Sequence, residues 1–375
     1  MKIVLFYHSL VSDWNHGNAH FLRGVASELI ARGHELVIYE PRDSWSRQNL
    51  TAEYGEAPVE EFQAAFPQLR SNQFDVASLD LDHALDGAEL VLVHEWNDPK
   101  LVRRIGQHHA TNAGYALFFH DTHHRAITAP EQMQRYDLSG YDGVLAYGET
   151  LRQVYLRRGL RAWTWHEAAD TRVFFPHTRT AFDGDIVWIG NWGDEERTDE
   201  LQEFLVEPIA SLKLRARVFG VRYPQHAREM LDKAGIEYGG WIANYRVPEV
   251  FARYKLTVHI PRRPYLEQLP GIPTIRPFEA LACGIPLACS PWNDAENLFM
   301  PGRDYLVARD GSEMRKHIRA LLADTQMARE IAAQGLATIR ARHTCAHRVD
   351  ELMNIMAQVC NWSSLDERNL ETCAT

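Results

Sequence analysis

The hydrophobic residues of the chain fall into short runs that alternate with amphipathic stretches. Residues 3–7 form an apolar run typical of a buried strand, and residues 19–31 carry apolar side chains on one side, as a surface helix does. Gly33 is well placed to end this helix, and a second apolar run follows at 36–40. This order predicts a strand, a helix and a strand joined by short loops, which is the βαβ unit of a parallel sheet.

The alternation continues in two series. Further strands are predicted at 88–96, 115–121 and 143–149, and then at 186–190, 215–220, 256–260 and 285–290. The stretch between the series contains prolines and charges without any period, so it predicts a linker. These strands are apolar along nearly their whole length, which indicates sheets whose two faces are both covered by helices.

We therefore predict two α/β domains, each with a Rossmann-like β/α/β sheet. The expected limits are 1–170 for the first domain, 171–184 for the linker and 185–348 for the second domain. The last segment, 349–375, predicts an amphipathic helix whose apolar side packs back on the first domain.

Composition narrows the class of protein. A chain of 375 residues is long enough for two domains, and its net charge of −10 argues against a general nucleic-acid binder. The five cysteines are odd in number and form no CxxC, which argues against a disulfide scaffold and favours a reducing cytoplasm. No apolar run approaches the roughly 18–20 residues of a membrane span, although a peripheral role beside a membrane stays open.

Ligands of open parallel sheets bind beyond the carboxyl ends of the strands, so the polar residues there are candidates. His16, Gly17 and Asn18 stand between the first strand and its helix, where a helix start favours an anion or a hydroxyl-rich ligand. Capping of the helix by Asn18 is the alternative.

A second polar group follows the strand at 115–121. His120 and Asp121 come at its end, and His123 follows shortly after. This combination suggests acid–base chemistry in which Asp121 or a histidine, His120 or His123, takes a proton from an acceptor hydroxyl. A metal site or exposed histidines without a function are the alternatives.

The second domain presents Asn191 and three arginines, Arg197, Arg222 and Arg262, after its strands. Later, the segment LPGIPTIRPFEA leads into a helix headed by Glu279. Free amide groups at such a helix start can hold a diphosphate. The carboxylate of Glu279 would either suit the helix dipole or accept hydrogen bonds from a vicinal diol such as ribose.

Four segments in order resemble the GT-B glycosyltransferases, and most closely the CgeB/YkvP-like group related to glycosyltransferase families 1 and 4. The segments are ELIARGHELVIYE, EAADTRVFFP, GGWIANYRVPEVFARYKLTVHIPR and TIRPFEALACGIPLACS. The resemblance implies the GT-B fold, in which two Rossmann-like domains face a central cleft. It also implies transfer of a sugar from a UDP-, GDP- or dTDP-sugar to a hydroxyl acceptor. The acceptor would be a glycan, a lipid-linked sugar, a protein or a small molecule.

The resemblance also assigns roles to residues of the second domain. Glu279 would bind the ribose, and Trp241 lies where the base is received. The diphosphate would meet Gly271, Ile272 and Thr274, and its charge would be neutralised by Arg197, Arg222 or Arg262. No cofactor is implied, and members of this fold class usually need no bound metal.

One departure from the family pattern affects the expected stereochemistry. Many retaining members carry a pair of glutamates as E-x7-E, but the residue eight positions before Glu279 is Gly271. The retaining or inverting outcome therefore stays open. A nucleotide-sugar epimerase of the same architecture and a non-catalytic protein that binds nucleotide sugars or glycans are the alternative functions.

Overall fold

The computed structural model describes residues 1–112, 114–178 and 181–373, with side chains as far as Cys360. The described residues form two compact units. The N-terminal unit comprises Met1–Ser12, Leu22–His166 and the residues from Ala346 on, and the C-terminal unit comprises Asp13–Phe21 and Glu167–Cys345. The loop after the first strand, Asp13–Phe21, thus groups with the second unit although it lies early in the chain.

The N-terminal unit contains a seven-stranded sheet of described residues. Its strands are β1 (Lys2–Phe6), β2 (Glu35–Pro41), β3 (Ser71–Phe74), β4 (Leu90–His94), β5 (Ala116–Asp121), β6 (Gly143–Ala146) and β7 (Ala162–Thr164). They run parallel in the order β3-β2-β1-β4-β5-β6-β7. The central strands β1, β4 and β5 are buried almost throughout, because helices cover both faces of the sheet.

Eight helices connect the strands in the described part of this region. They are α1 (Ala19–Ala31), α2 (Trp45–Tyr54), α3 (Ala57–Ala65), α4 (Leu81–Leu85), α5 (Pro99–Thr111), α6 (Arg125–Thr128), α7 (Pro130–Met133) and α8 (Glu149–Arg157). The apolar face of α1, formed by Phe21, Leu22, Val25 and Leu29, is fully buried. The helix therefore begins, ends and faces the core as its apolar spacing predicts.

The C-terminal unit contains a second parallel sheet. Its described strands are β8 (Gly184–Ile189), β9 (Ala216–Phe219), β10 (Ile236–Tyr238), β11 (Tyr254–His259), β12 (Leu287–Cys289) and β13 (Leu306–Val307). Their order is β10-β9-β8-β11-β12-β13. Side chains of β8, β9 and β11, among them Ile186, Val218 and Leu256, form its core.

The helices of this unit follow the same alternation. They are α9 (Thr198–Leu201), α10 (Glu207–Leu212), α11 (Gln225–Lys233), α12 (Val247–Phe251), α13 (Arg263–Glu267), α14 (Ile275–Ala282), α15 (Gly311–Ala323) and α16 (Thr325–Arg342). A π-helical turn, Gln202–Val206, joins α9 to α10, and a 3-10 turn, Asn244–Arg246, precedes α12.

The chain ends with helix α17 (Cys345–Cys373), which belongs almost entirely to the N-terminal unit. The indole Nε1 of Trp165 donates to the carbonyl of Arg348 at 2.8 Å, and Arg32 pairs with Asp350 at 2.6 Å. Leu352 is also fully buried. The predicted packing of the tail helix on the first domain is confirmed for the described side chains.

The two-sheet α/β architecture predicted from the sequence is confirmed, and nine predicted strands correspond to described ones. Sequence analysis missed β3, β7, β10 and β13, which have two to four residues each. Within the described residues, no helix combines the length and the apolar character that a bilayer crossing requires.

Candidate functional site

A cleft lies in the C-terminal unit, at the carboxyl ends of β8 and β9. This is where parallel sheets bind their ligands. Four segments line it together with Arg276: the loop after β1 (Asp13, Asn15, His16 and Gly17), residues 189–191, residues 219–220, and the loop before α12 (Trp241, Ile242, Asn244 and Val247). Four residues predicted from the sequence, His16, Gly17, Asn191 and Trp241, are therefore brought together here.

The ends of β8 and β9 approach each other closely beneath the cleft. A Cβ atom on Gly220 would lie 2.1 Å from the carbonyl oxygen of Gly190, which no side chain could tolerate. Beside this contact, the amide oxygen of Asn191 accepts from the Val221 amide at 2.9 Å, and its Nδ2 donates to Asn15 at 2.5 Å. The floor of the cleft is thus built of backbone and amide groups rather than of charges.

The Asp13 carboxylate fixes one edge of the cleft. Its Oδ1 accepts from the indole Nε1 of Trp241, and its Oδ2 accepts from the backbone amide of Asn244, both at 3.0 Å. These two bonds hold the loop at 241–244 against the loop after β1. Trp241 is the residue that the family resemblance places at the nucleotide base. Its indole is therefore positioned by a carboxylate within the same unit.

Glu279 lies on α14 and has no exposed surface. Its Oε1 accepts from Nδ1 of His20 at 2.9 Å and from Nδ2 of Asn244 at 2.6 Å. Its Oε2 bonds to the guanidinium of Arg276, one turn earlier on the same helix. The helix does not begin at Glu279 as the sequence suggested: α14 begins at Ile275, so the carboxylate lies beyond the first turn and does not cap the helix. It instead joins three separate segments at the cleft.

The hydrogen bonds of His20 define its tautomer. Its Nε2 accepts from the backbone amide of Asp170 at 2.8 Å, so the ring proton resides on Nδ1 and is donated to Glu279. The ring of Phe174 stacks on His20 with centroids 4.0 Å apart. His20 thus sets the orientation of the Glu279 carboxylate from the start of α1.

Two buried glutamates near the cleft are in opposite ionisation states. Burial works against ionisation of Glu279, but the charge of Arg276 and the bond from His20 prevail and lower its pKa. Glu167 accepts from Nδ2 of Asn18 at 2.7 Å, yet burial raises its pKa to about 8. Of these two glutamates, Glu279 is therefore the one that is charged at neutral pH.

The start of α14 is suited to an anion. Its first residue follows Thr274, whose hydroxyl bonds to Nε2 of His259 at 3.1 Å instead of capping the helix. Burial lowers the pKa of His259 to about 3, and the charges of Arg197 and Arg276 act in the same direction. Amides at the start of α14 thus lack a side-chain cap, in a region of positive charge.

The three arginines predicted for the diphosphate do not line the cleft. Arg197 turns inward, donating to the carbonyl oxygens of Ile260 at 2.6 Å and Asn191 at 2.5 Å. Arg222 pairs with Asp194 at 2.7 Å, and Arg262 pairs with Glu196. These partners tie loops together, so none of the three guanidinium groups is directed at the cleft in this conformation.

Gly271 and Ile272 lie outside the cleft as well. The Gly271 amide donates to the carbonyl of Asn293 at 2.8 Å, and the Ile272 amide donates to that of Leu269 at 3.3 Å. Gly271 has a φ of +88°, and a Cβ there would lie 2.7 Å from Cγ of Glu296. Both residues shape the turn that leads to α14, and their roles in holding a diphosphate stay predictions.

The residues predicted for catalysis lie in the N-terminal unit at the end of β5. Asp121 has no exposed surface. Both of its carboxylate oxygens have partners: Oδ2 accepts from the Tyr155 hydroxyl at 2.6 Å, and Oδ1 accepts from the His123 amide at 3.1 Å. Burial raises the pKa of Asp121. A role as base, which stays a prediction, would require the carboxylate to leave these partners.

The neighbouring histidines differ in exposure. His120 is buried against Trp165, with ring centroids 4.7 Å apart, and burial lowers its pKa to about 3. His123 is only half-buried and lies beside Trp96. Within the described residues, no three His, Cys, Asp or Glu side chains are arranged to hold a metal ion.

Sequence analysis missed four polar residues of the site: Asp13, His20, Asn244 and Arg276. Arg276 carried a usable signal, because it stands three positions before Glu279 on one helix, where side chains meet. The other three contact their partners across long stretches of chain, and spacing alone does not indicate such contacts.

Comparisons with known proteins bear on the family and the fold of the chain. Residues 197–354 match a protein-family model described as glycosyl transferase-like. A search of curated protein sequences found no match.

Solved structures with the same fold include a sucrose-phosphate synthase from Thermosynechococcus elongatus, with 16% identity, a TM-score of 0.66, and coverage of 96% of this chain and 99% of the other. The HepE protein of Anabaena, solved with UDP and glucose, has 14% identity, a TM-score of 0.66, and coverage of 96% and 100%. A glycosyltransferase from Rickettsia africae has 12% identity, a TM-score of 0.66, and coverage of 96% and 98%.

These findings favour neither the epimerase nor the binding protein without catalysis. Together, the family model and the fold support a glycosyltransferase of the GT-B class, an enzyme that transfers a sugar from a nucleotide-sugar donor.

Proposed function

We propose that the cleft of the C-terminal unit binds a UDP-sugar and that the enzyme transfers its sugar to a hydroxyl acceptor. The observation that carries this proposal is the buried Glu279 carboxylate, paired with Arg276 at the cleft. A carboxylate suits a ribose diol, and a cation beside a helix start suits a diphosphate. UDP is our choice of nucleotide because HepE, which shares the fold, was solved with UDP and glucose.

The lining of the cleft suggests how the donor is arranged. The base would lie against Trp241, whose loop is fixed by Asp13. The ribose would reach Glu279, and the diphosphate would meet Arg276 and the start of α14 at Thr274. The sugar would then extend toward the loop after β1, where His16, Gly17 and Asn18 offer polar groups, and toward Asn191.

The chemical step needs charge stabilisation and a proton acceptor. The acceptor oxygen bonds to the anomeric carbon, and the bond from that carbon to the diphosphate breaks. The departing UDP gains negative charge, which Arg276 and the amides of α14 would stabilise. Among the residues predicted for proton transfer, His123 has exposed surface, so we propose that it meets the acceptor while Asp121 and His120 support the loop from below.

Finer assignments rest on the sequence. The segment TIRPFEALACGIPLACS around Glu279 supports a CgeB/YkvP-like subgroup. We also propose that the first domain ends at residue 170, that the second domain begins at residue 185 and that the tail begins at residue 349. Catalysis is proposed to need no bound metal.

The test is release of nucleoside diphosphate from UDP-, GDP-, dTDP- and CDP-sugars, with and without a panel of hydroxyl acceptors. We expect UDP release that rises when the right acceptor is added, that persists in EDTA and that falls strongly in Glu279→Gln. Tight UDP binding without any turnover across the panel would overturn the transferase and favour a binding protein.

A further inference from the structure

Arg276 is the only arginine or lysine among the described residues that line the cleft. Its side chain is 27% exposed, and Glu279 is its only hydrogen-bond partner in the part of the chain that the structure describes. The cleft therefore has one cation available for a diphosphate, and that cation already has a partner.

The two oxygens of Glu279 are held in different ways. Oε1 accepts from His20 and Asn244, two buried groups on segments far apart in the chain. Oε2 is bonded to the half-exposed Arg276. Because Oε1 is anchored on two sides, Oε2 is the oxygen that can change its partner.

A bound nucleotide would need two interactions that the Arg276–Glu279 pair prevents: a hydrogen bond from the ribose to Glu279 and a cation beside the diphosphate. The Glu279 carboxylate has no exposed surface and its Oε2 is bonded to the Arg276 guanidinium, so a ribose hydroxyl cannot reach it in this conformation. The diphosphate in turn needs a cation, since an uncompensated charge in a partly buried cleft is costly. Movement of the Arg276 side chain from Glu279 to the diphosphate would provide both interactions.

We propose that Arg276 exchanges partners when the donor binds, leaving Glu279 for the diphosphate and so opening Oε2 to the ribose. This partner exchange rests on the proposed function, because it takes Glu279 as the ribose ligand. His20 and Asn244 keep the carboxylate in place throughout. The exchange ties ribose recognition to the diphosphate, so a nucleoside alone must break the ion pair without offering Arg276 a new partner.

Arg276→Gln should therefore shift two affinities in opposite directions. The variant should bind UDP about 10- to 100-fold more weakly, because a charged hydrogen bond to phosphate is lost. It should bind uridine about 3- to 10-fold more tightly, because no guanidinium is bonded to Oε2 of Glu279 and the ribose has no ion pair to break. Arg253→Gln is the matched control, since Arg253 also pairs with a carboxylate, Asp183, but lies on the surface away from the cleft.

A second measurement needs no variant and so does not depend on whether Arg276→Gln folds. In the wild-type protein, inorganic pyrophosphate should draw Arg276 from Glu279 and tighten uridine binding by about threefold or more. Titration calorimetry of uridine with and without pyrophosphate measures this coupling. Competition between the two ligands, or no effect, would overturn the exchange.

Failure of the exchange can be told apart from failure of the proposed function. If wild-type protein binds UDP but Arg276→Gln weakens UDP and uridine by the same factor, the exchange is wrong and the nucleotide site stands. If Arg276→Gln leaves UDP binding unchanged, Arg276 does not hold the diphosphate and the exchange is also wrong. If wild-type protein binds neither UDP nor uridine, both proposals fall.

Discussion

Replacement of Glu279 by glutamine removes a charge from the candidate ribose site with little change in shape. The amide oxygen of glutamine can still accept from His20 and Asn244, which bond to Oε1 at 2.9 and 2.6 Å. Alanine would instead leave both buried donors without a partner, at about 1–3 kcal/mol each. Glutamine is therefore the substitution that separates nucleotide binding from folding.

The expected loss of affinity follows from the bonds that the carboxylate would make. Hydrogen bonds to a charged group contribute about 1.5–3 kcal/mol. At 1.4 kcal/mol for each factor of ten, Glu279→Gln should weaken UDP binding by about 10- to 150-fold. The effect should be smaller for 2′-deoxy-UDP, which has one ribose hydroxyl fewer to offer to Glu279.

Titration calorimetry with UDP and 2′-deoxy-UDP measures both effects. Glu167→Gln is a matched control, because Glu167 is a buried glutamate of the same unit whose pKa of about 8 keeps it neutral at pH 7. Its UDP affinity should stay within about twofold of wild type. An unchanged UDP dissociation constant in Glu279→Gln would refute the ribose role, as would an equal loss for both nucleotides.

Three further predictions concern other parts of the chain. Burial raises the pKa of Glu167 to about 8, so the folded protein holds a proton that the unfolded chain releases near pH 4.5, and the contribution of Glu167 to wild-type stability falls as pH rises from 4.5 to 8. Glu167→Gln should become relatively more stable across that window, by up to about 1.4 kcal/mol per pH unit in chemical denaturation, whereas a constant difference would contradict the shift. His123→Ala should lower turnover about 100-fold or more and leave UDP affinity intact, and wild-type turnover would remove His123 from proton transfer. Gly271→Ala should cost about 1–3 kcal/mol of unfolding free energy, because a Cβ would lie 2.7 Å from Cγ of Glu296. Gly33→Ala is the control, since Gly33 has a similar φ of +80° but open space around it, and it should cost less. Equal losses in the two variants would show that the contact with Glu296 has no effect.

The fold could be predicted because each central strand is an apolar run and α1 has a clear apolar face. Burial on both sides of a parallel sheet demands such runs, and β1, β4, β5 and β8 all have them. The missed strands lie toward the sheet edges and are short. The edge strand β3, for example, reads Ser-Asn-Gln-Phe, in which no apolar run exists.

The site could be predicted only in part. Glu279 stood out because an acid in an apolar helix needs a partner, and the structure provides three. The sequence placed it at the head of that helix, but α14 begins four residues earlier, at Ile275. The three predicted arginines do not line the cleft, because loops can turn a guanidinium inward, as at Arg197, or outward to a surface carboxylate, as at Arg222. Their contact with a diphosphate stays a prediction. His20 contacts Glu279 across 259 positions of sequence, a distance over which no local pattern operates.

A crystal structure of the wild-type protein soaked with UDP tests the central claim most directly. The account predicts the diphosphate beside Arg276 at the start of α14, the ribose hydroxyls on Glu279 and the base against Trp241. Nucleotide density at a different place, or density in this cleft that leaves Glu279 bonded to Arg276 and out of reach of the ribose, would contradict it.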